Sequence, residues 1–141
     1  MQPHELYILL VDDDELDLMN VQRAFKKNNT TYPFYTARNG AEALELLRGT
    51  GPMARPNARR LILLDINMPR MNGIEFLREL RRDPQLDSMT VVVLTTSDDD
   101  RDKVEAYKLN VAGYILKPVT FAAFVETVAI LNTYWTISEL V

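Results

Sequence analysis

Cysteine is missing from all 141 residues of the chain. Without thiols there is no disulfide framework, no cysteine zinc site and no thiol nucleophile, so we expect a reduced environment. The one histidine, His4, cannot build a catalytic triad or a zinc site by itself. No apolar stretch approaches the roughly 20 residues that cross a bilayer, and the N-terminus lacks the basic start of a secretory signal. We therefore expect a cytoplasmic protein with no membrane segment.

An excess of basic residues is missing as well. The formal net charge is −4, from 20 acidic and 16 basic residues. A domain that grips nucleic acid by itself is usually clearly basic, so we expect no direct nucleic-acid binding. The hydrophobic fraction of 47% and the charged fraction of 26% are typical of one globular domain with a proper core.

Short apolar runs alternate with segments of helical spacing along the whole chain. The runs are Leu6–Val11, Tyr32–Ala37, Leu61–Leu64, Thr90–Leu94 and Gly113–Leu116. The first, third and fourth runs lack strict alternation, which is typical of parallel strands buried on both faces. Between the runs, apolar residues recur at helical spacing, as Leu18, Val21 and Phe25 do. The pattern predicts a doubly wound α/β sandwich with right-handed crossovers.

Polar residues follow the buried strands at the point where each strand ends. Asp12 and Asp13 follow the first run, Asp65 follows the third, Thr95 follows the fourth, and Lys117 follows the fifth. These strand ends share one edge of a parallel sheet, where open α/β sheets bind their ligands. Residues about 50 positions apart in sequence are therefore expected to meet in one cleft.

Carboxylates crowded into such a cleft predict a magnesium site. Neighbouring carboxylates repel and raise one another's pKa unless a cation joins them, and Mg²⁺ prefers oxygen ligands and retained waters. We expect Asp13 and Asp65 to bind the metal directly and Asp12 to hold a metal-bound water. The main-chain carbonyl of Asn67 is expected to complete the protein's share.

A carboxylate beside a cation can also act as a nucleophile. Attack by Asp65 on phosphorus would give an acyl phosphate. Catalysis of such a transfer is mostly positioning and charge neutralisation. We expect the ammonium of Lys117 to supply a mobile positive charge and the Thr95 hydroxyl to hydrogen-bond a phosphoryl oxygen.

The motifs that carry these residues resemble the receiver domains of two-component response regulators. They are Leu10–Asp13, Leu63–Pro69 with Gly73, Leu94–Thr95 and Gly113–Pro118. The resemblance covers residues 5–133 and implies a flavodoxin-like (βα)5 receiver with strand order 2-1-3-4-5. It also implies that residues 134–141 form a C-terminal tail and that no output domain follows.

The resemblance implies a role in phosphorelay signal transduction. A sensor histidine kinase would pass its phosphoryl group to Asp65, and the only chemistry of the chain would be self-phosphorylation and autodephosphorylation. Thr95 and the aromatic Tyr114 would form the switch that responds to the phosphoryl group. Asn67, Thr96 and Ser97 occupy positions at which the family tunes phosphoryl hydrolysis, and Thr96 is bulkier than the residue at that position in many receivers.

A narrower resemblance is to small stand-alone receivers paired with bacterial and cyanobacterial phytochromes. It rests on Val93–Ser97, the long loop before the third strand, and Asn132–Trp135. It implies a bacteriophytochrome as the kinase, light signalling, and a homodimer through the face made by helix four, strand five and helix five.

Three other functions fit parts of the pattern. An aspartyl phosphatase generally wants a second acid two residues after the nucleophile, where this chain has Asn67. A scaffold that works without phosphorylation typically loses the acceptor, an acidic metal partner or the lysine, all of which are kept here. A flavin carrier needs a phosphate loop after its first strand, where Asp12 to Glu15 would repel a phosphate.

Overall fold

The computed structural model of the chain describes residues 6–28, 32–50, 59–117 and 120–137. Strands and helices alternate through these residues. The strands are β1 Leu6–Val11, β2 Phe34–Ala37, β3 Arg59–Leu64, β4 Thr90–Thr95 and β5 Gly113–Leu116. The helices are α1 Glu15–Lys27, α2 Gly40–Arg48, α3 Gly73–Arg82, α4 Asp100–Lys108 and α5 Phe121–Ile137.

The strands form one parallel sheet in the order β2-β1-β3-β4-β5, which confirms the predicted fold. The register pairs Val11 with Leu64, so the residues that follow, Asp12 and Asp65, leave the sheet side by side. The amide of Asp65 donates to the carbonyl of Val11 over 2.9 Å and fixes this alignment. The order of the strands therefore brings the ends of β1 and β3 together at the centre of the sheet.

Hydrophobic clusters cover both faces of the sheet. In β1, Tyr7, Leu9 and Val11 point into one cluster, and Ile8 and Leu10 point into the other. Both sets of side chains are buried, which explains why the strand reads as an apolar run without alternation.

The helix starts next to the site have well-formed caps. Asp14 is the N-cap of α1 and accepts from the amides of Leu16 and Asp17, as expected for an acidic residue at this position. Asn72 and Glu75 form a reciprocal capping box at the start of α3. Gly73, the first residue of α3, donates to the carbonyl of Ile66 over 3.0 Å and so ties the helix to the segment after β3.

Several element bounds differ from the predicted ones. β2 begins at Phe34 and not at Tyr32, because the intervening Pro33 has no amide hydrogen to donate to a neighbouring strand. α5 continues to Ile137, four residues beyond the expected boundary at 133. The end of the expected tail, residues 138–141, lies outside the described residues, as do most of the loop before β3 and Pro118. Among the described residues, no helix is both long and apolar enough to cross a membrane.

Candidate phosphoacceptor site

An acidic cluster lies at the C-terminal edge of the sheet, where the sequence predicted it. Carboxylate oxygens of Asp12, Asp13 and Asp65 all lie within 4.8 Å of one another. Asp12 and Asp65 are buried, whereas Asp13 is exposed. Two carboxylates of the cluster are therefore buried at the ends of β1 and β3, and the third is open to water.

This donor set fits a hard divalent cation. All its ligand atoms are oxygens, and the exposed side leaves room for the waters that such an ion retains. Asn67 is exposed and lines a cleft of about 590 Å³ together with Asp13. Asn67 therefore lies at the same cleft as Asp13, and contact of its main-chain carbonyl with a metal stays a prediction.

Burial sets the protonation behaviour of Asp12. It raises the pKa of Asp12 from 3.8 to about 6, against the opposing effect of hydrogen bonds from Lys117 and from the Asp14 amide. The nearby charge of Asp65 raises this pKa further. Carboxylates held this close to one another favour a cation between them.

Lys117 lies beside the cluster, and its side chain is buried. Its Nζ is 2.6 Å from Oδ2 of Asp12, 2.6 Å from Oδ2 of Asp17 and 3.7 Å from Oδ2 of Asp65. Its side chain is only 5% exposed. Burial lowers the pKa of Lys117, but its hydrogen bonds to Asp12 and Asp17 outweigh burial and leave that pKa raised. The site thus holds a positive charge within reach of the Asp65 carboxylate.

A hydrogen-bonded chain joins Asp65 to the predicted switch residues. The Thr95 hydroxyl donates to Oδ1 of Asp65 over 2.5 Å and accepts from the Ser97 amide over 3.2 Å. The Tyr114 hydroxyl donates to the Ser97 carbonyl over 2.9 Å. Thr96 is exposed between these buried neighbours. Thr95, Ser97 and Tyr114 are therefore connected to Asp65 through one short segment.

Two acidic side chains of the site were missed by sequence reasoning. Asp17, in the first turn of α1, forms an ion pair with Lys117. Asp102, in the first turn of α4, accepts from the Ser97 hydroxyl over 2.6 Å. Both helices start at the edge of the sheet that carries the acidic cluster. An acid in the first turn of such a helix was the sequence signal that could have identified Asp17 and Asp102.

A buried carboxylate that has other acids, a hydroxyl and a lysine around it lies at one edge of a parallel sheet, the edge at which open α/β domains bind their ligands. The chain belongs to the response regulator receiver domain family, whose model matches residues 8–129. Receiving a phosphoryl group from a histidine kinase is the general role of this family.

Relatives and solved structures give the narrower context. The probable methanogenesis regulatory protein FilR2 of Methanothrix harundinacea is 37% identical over 91% of this chain and 82% of its own length. The response regulator Rcp1 of Synechocystis is 33% identical over 91% and 87%. Its Mn²⁺-bound structure superposes with a TM-score of 0.83 at 32% identity, covering 97% of this chain and 99% of that one. The phosphorylated cyanobacterial phytochrome response regulator RcpA superposes with a TM-score of 0.85 at 35% identity, covering 97% and 98%.

Proposed function

We propose that this receiver takes a phosphoryl group from the phosphohistidine of a sensor kinase onto Asp65. The observation that carries the proposal is the setting of that carboxylate. One Asp65 oxygen accepts from Thr95, and the other lies 3.7 Å from the Lys117 ammonium. The other two acids of the cluster, Asp12 and Asp13, lie beside the same carboxylate.

The proposed transfer makes an O–P bond and breaks an N–P bond. An Asp65 oxygen attacks phosphorus, and the kinase imidazole leaves with the electron pair of the N–P bond and takes up a proton. Lys117 is placed to offset negative charge on the transferring group, and Thr95 can turn its hydroxyl from Asp65 to a phosphoryl oxygen. Four groups would hold Mg²⁺, namely the carboxylates of Asp12, Asp13 and Asp65 and the main-chain carbonyl of Asn67. When bound, the ion would neutralise charge on the phosphoryl oxygens.

The connection through Ser97 suggests how phosphorylation would reach the surface. If Thr95 moves toward the phosphoryl group, the Ser97 amide loses its acceptor and the Ser97 carbonyl shifts under the Tyr114 hydroxyl. We propose that this couples the two switch residues, and that Asn67, Thr96 and Ser97 adjust phosphoryl lifetime.

The acceptor is tested by labelling with a phosphorylated histidine kinase. Asp65→Asn is expected to abolish base-labile labelling, while Asp100→Asn, which removes an acid that is 96% exposed, should leave it intact. Labelling of Asp65→Asn at the wild-type level would refute the assignment. Rapid steady-state release of phosphate from a generic ester would instead support an aspartyl phosphatase, and an amide spectrum unchanged by beryllofluoride and Mg²⁺ would support a scaffold.

We propose a bacteriophytochrome as the kinase and the cytoplasm as the place of the reaction. The likeness to the cyanobacterial phytochrome response regulator RcpA supports the partner. A profile of which histidine kinases label the chain fastest tests it. Slower labelling by phytochrome kinases than by unrelated kinases would count against light signalling.

We also propose that the chain forms homodimers through α4, β5 and α5. Val104 and Tyr107 on α4 are each 53% exposed, and Leu116 at the end of β5 is 43% exposed. Apolar side chains grouped on one surface favour an interface. Light scattering with and without beryllofluoride should show a change in mass, and identical masses would contradict a phosphorylation-dependent dimer.

A further inference from the structure

Three carboxylates surround the buried ammonium of Lys117, and they are not equivalent. Asp12 and Asp65 also belong to the acidic cluster, whose oxygens lie within 4.8 Å of one another. Asp17 contacts the ammonium from α1, at the same 2.6 Å distance as Asp12, and is not a member of that cluster.

The same oxygens cannot fully serve a metal and an ammonium at once. A divalent ion in the cluster draws on the charge of Asp12 and Asp65 and repels the ammonium beside them. Lys117 is 5% exposed, so it cannot compensate by turning to water. A buried cation that loses its partner is strongly disfavoured. A carboxylate outside the cluster would remove this conflict.

We infer that Asp17 is a positioning residue that holds the Lys117 ammonium beside Asp65 while Asp12 and Asp65 serve the metal. The position of Asp17 suits the task. It lies in the first turn of α1, where the positive end of the helix dipole favours a carboxylate. Its side chain is 26% exposed, so its charge needs less compensation from the protein than the more deeply buried Asp12.

The ordinary explanation for an acid at this position is a favourable charge at a helix start. Glu15 in the same turn has that role without contact to Lys117, since it pairs with Arg38 at the surface. Glu15→Gln therefore removes the same charge from the same helix end and is the matched control.

The test measures Mg²⁺ affinity by titration calorimetry in the unphosphorylated protein. Asp17→Asn is expected to weaken Mg²⁺ binding about tenfold, because metal and ammonium then compete for the same two carboxylates. Glu15→Gln is expected to change it less than about twofold. Equal effects of the two substitutions would overturn the inference.

A double-mutant cycle separates positioning from plain charge loss. In a Lys117→Met background there is no ammonium to hold, so adding Asp17→Asn should weaken Mg²⁺ binding no more than Glu15→Gln does. If Asp17→Asn costs as much affinity there as in the wild-type background, Asp17 acts only through its charge and the inference is wrong.

A measurement on the wild-type protein does not depend on how well the variants fold. With saturating Mg²⁺, the Nζ protons of Lys117 should exchange slowly and show through-hydrogen-bond coupling to the Asp17 carboxylate carbon. Loss of that coupling on metal binding would overturn the inference. It rests on the proposed function only for the metal site, so a failed cycle with normal Asp65 labelling would leave the acceptor assignment standing.

Discussion

Replacing Gly73 by alanine would place a methyl group against the main chain of the Asp65 segment. A Cβ built on Gly73 lies 2.4 Å from the Asp65 carbonyl oxygen and 2.8 Å from Cα of Ile66. Ordinary contact begins near 3.4 Å, so the two backbones must separate by about 1 Å. No side chain can yield here, because the atoms in the way are main chain.

The expected cost is at the upper end for an overpacked site, about 3 kcal/mol. With about 2.1 cal/mol/K of unfolding entropy per residue, the 141 residues have an unfolding entropy of about 0.3 kcal/mol/K. The melting temperature of Gly73→Ala should therefore fall by about 10 °C. The displaced segment also carries Asp65 and Asn67, so Mg²⁺ binding should weaken with it.

Gly113→Ala is the matched control for thermal unfolding followed by circular dichroism. It makes the same chemical change in β5, where the added Cβ meets, among the described residues, only Cγ1 of Val92 at 3.9 Å. Both substitutions reduce the freedom of the unfolded chain similarly, so their difference isolates the steric clash. Equal melting temperatures for the two variants would refute the steric argument.

Two further predictions concern protonation and packing. Mg²⁺ binding should weaken below pH 6, because burial raises the pKa of Asp12 from 3.8 to about 6. One competing proton makes the Kd for Mg²⁺ about tenfold higher at pH 5 than at pH 7. Equal Kd values from calorimetry at the two pH values would contradict this. In metal-free protein the same group stabilises the fold fully below pH 3.8 and loses that effect as pH rises through about 6. Arg81→Lys should lower the free energy of unfolding by about 2 kcal/mol, because the Arg81 guanidinium donates to four backbone carbonyls. Arg82→Lys, on a side chain that is 72% exposed, is the control. Equal melting temperatures for the two variants would contradict the prediction.

The contacts of Arg81 illustrate what local pattern does not reveal. Its side chain joins the end of α3 to Asp87 and Met89 before β4 and to Leu109 and Asn110 after α4. In the sequence it is one of two successive arginines at the end of an amphipathic helix, and nothing local separates it from the exposed Arg82. The difference arises only when the neighbouring turns bring their carbonyls to one point.

Helical spacing also left the direction of a helix face open. Val104 and Tyr107 recur with the spacing of a buried stripe, yet each is 53% exposed in α4. Spacing identifies which side chains share a face of a helix. Whether that face meets the sheet, a partner or water depends on how the helix packs, which is a property of the whole domain.

The sequence by itself determined where the strands lie, that they are parallel and buried, and which polar residues follow their ends. Those features are local: apolar runs of strand length predict buried strands, and parallel strands necessarily share their carboxyl edge. The tertiary structure decided which acids are buried, which stay exposed and which of them surround Lys117. Asp17 and Lys117 are 100 positions apart in sequence, and they form an ion pair only because the tertiary fold, in which α1 packs against α5, brings them together.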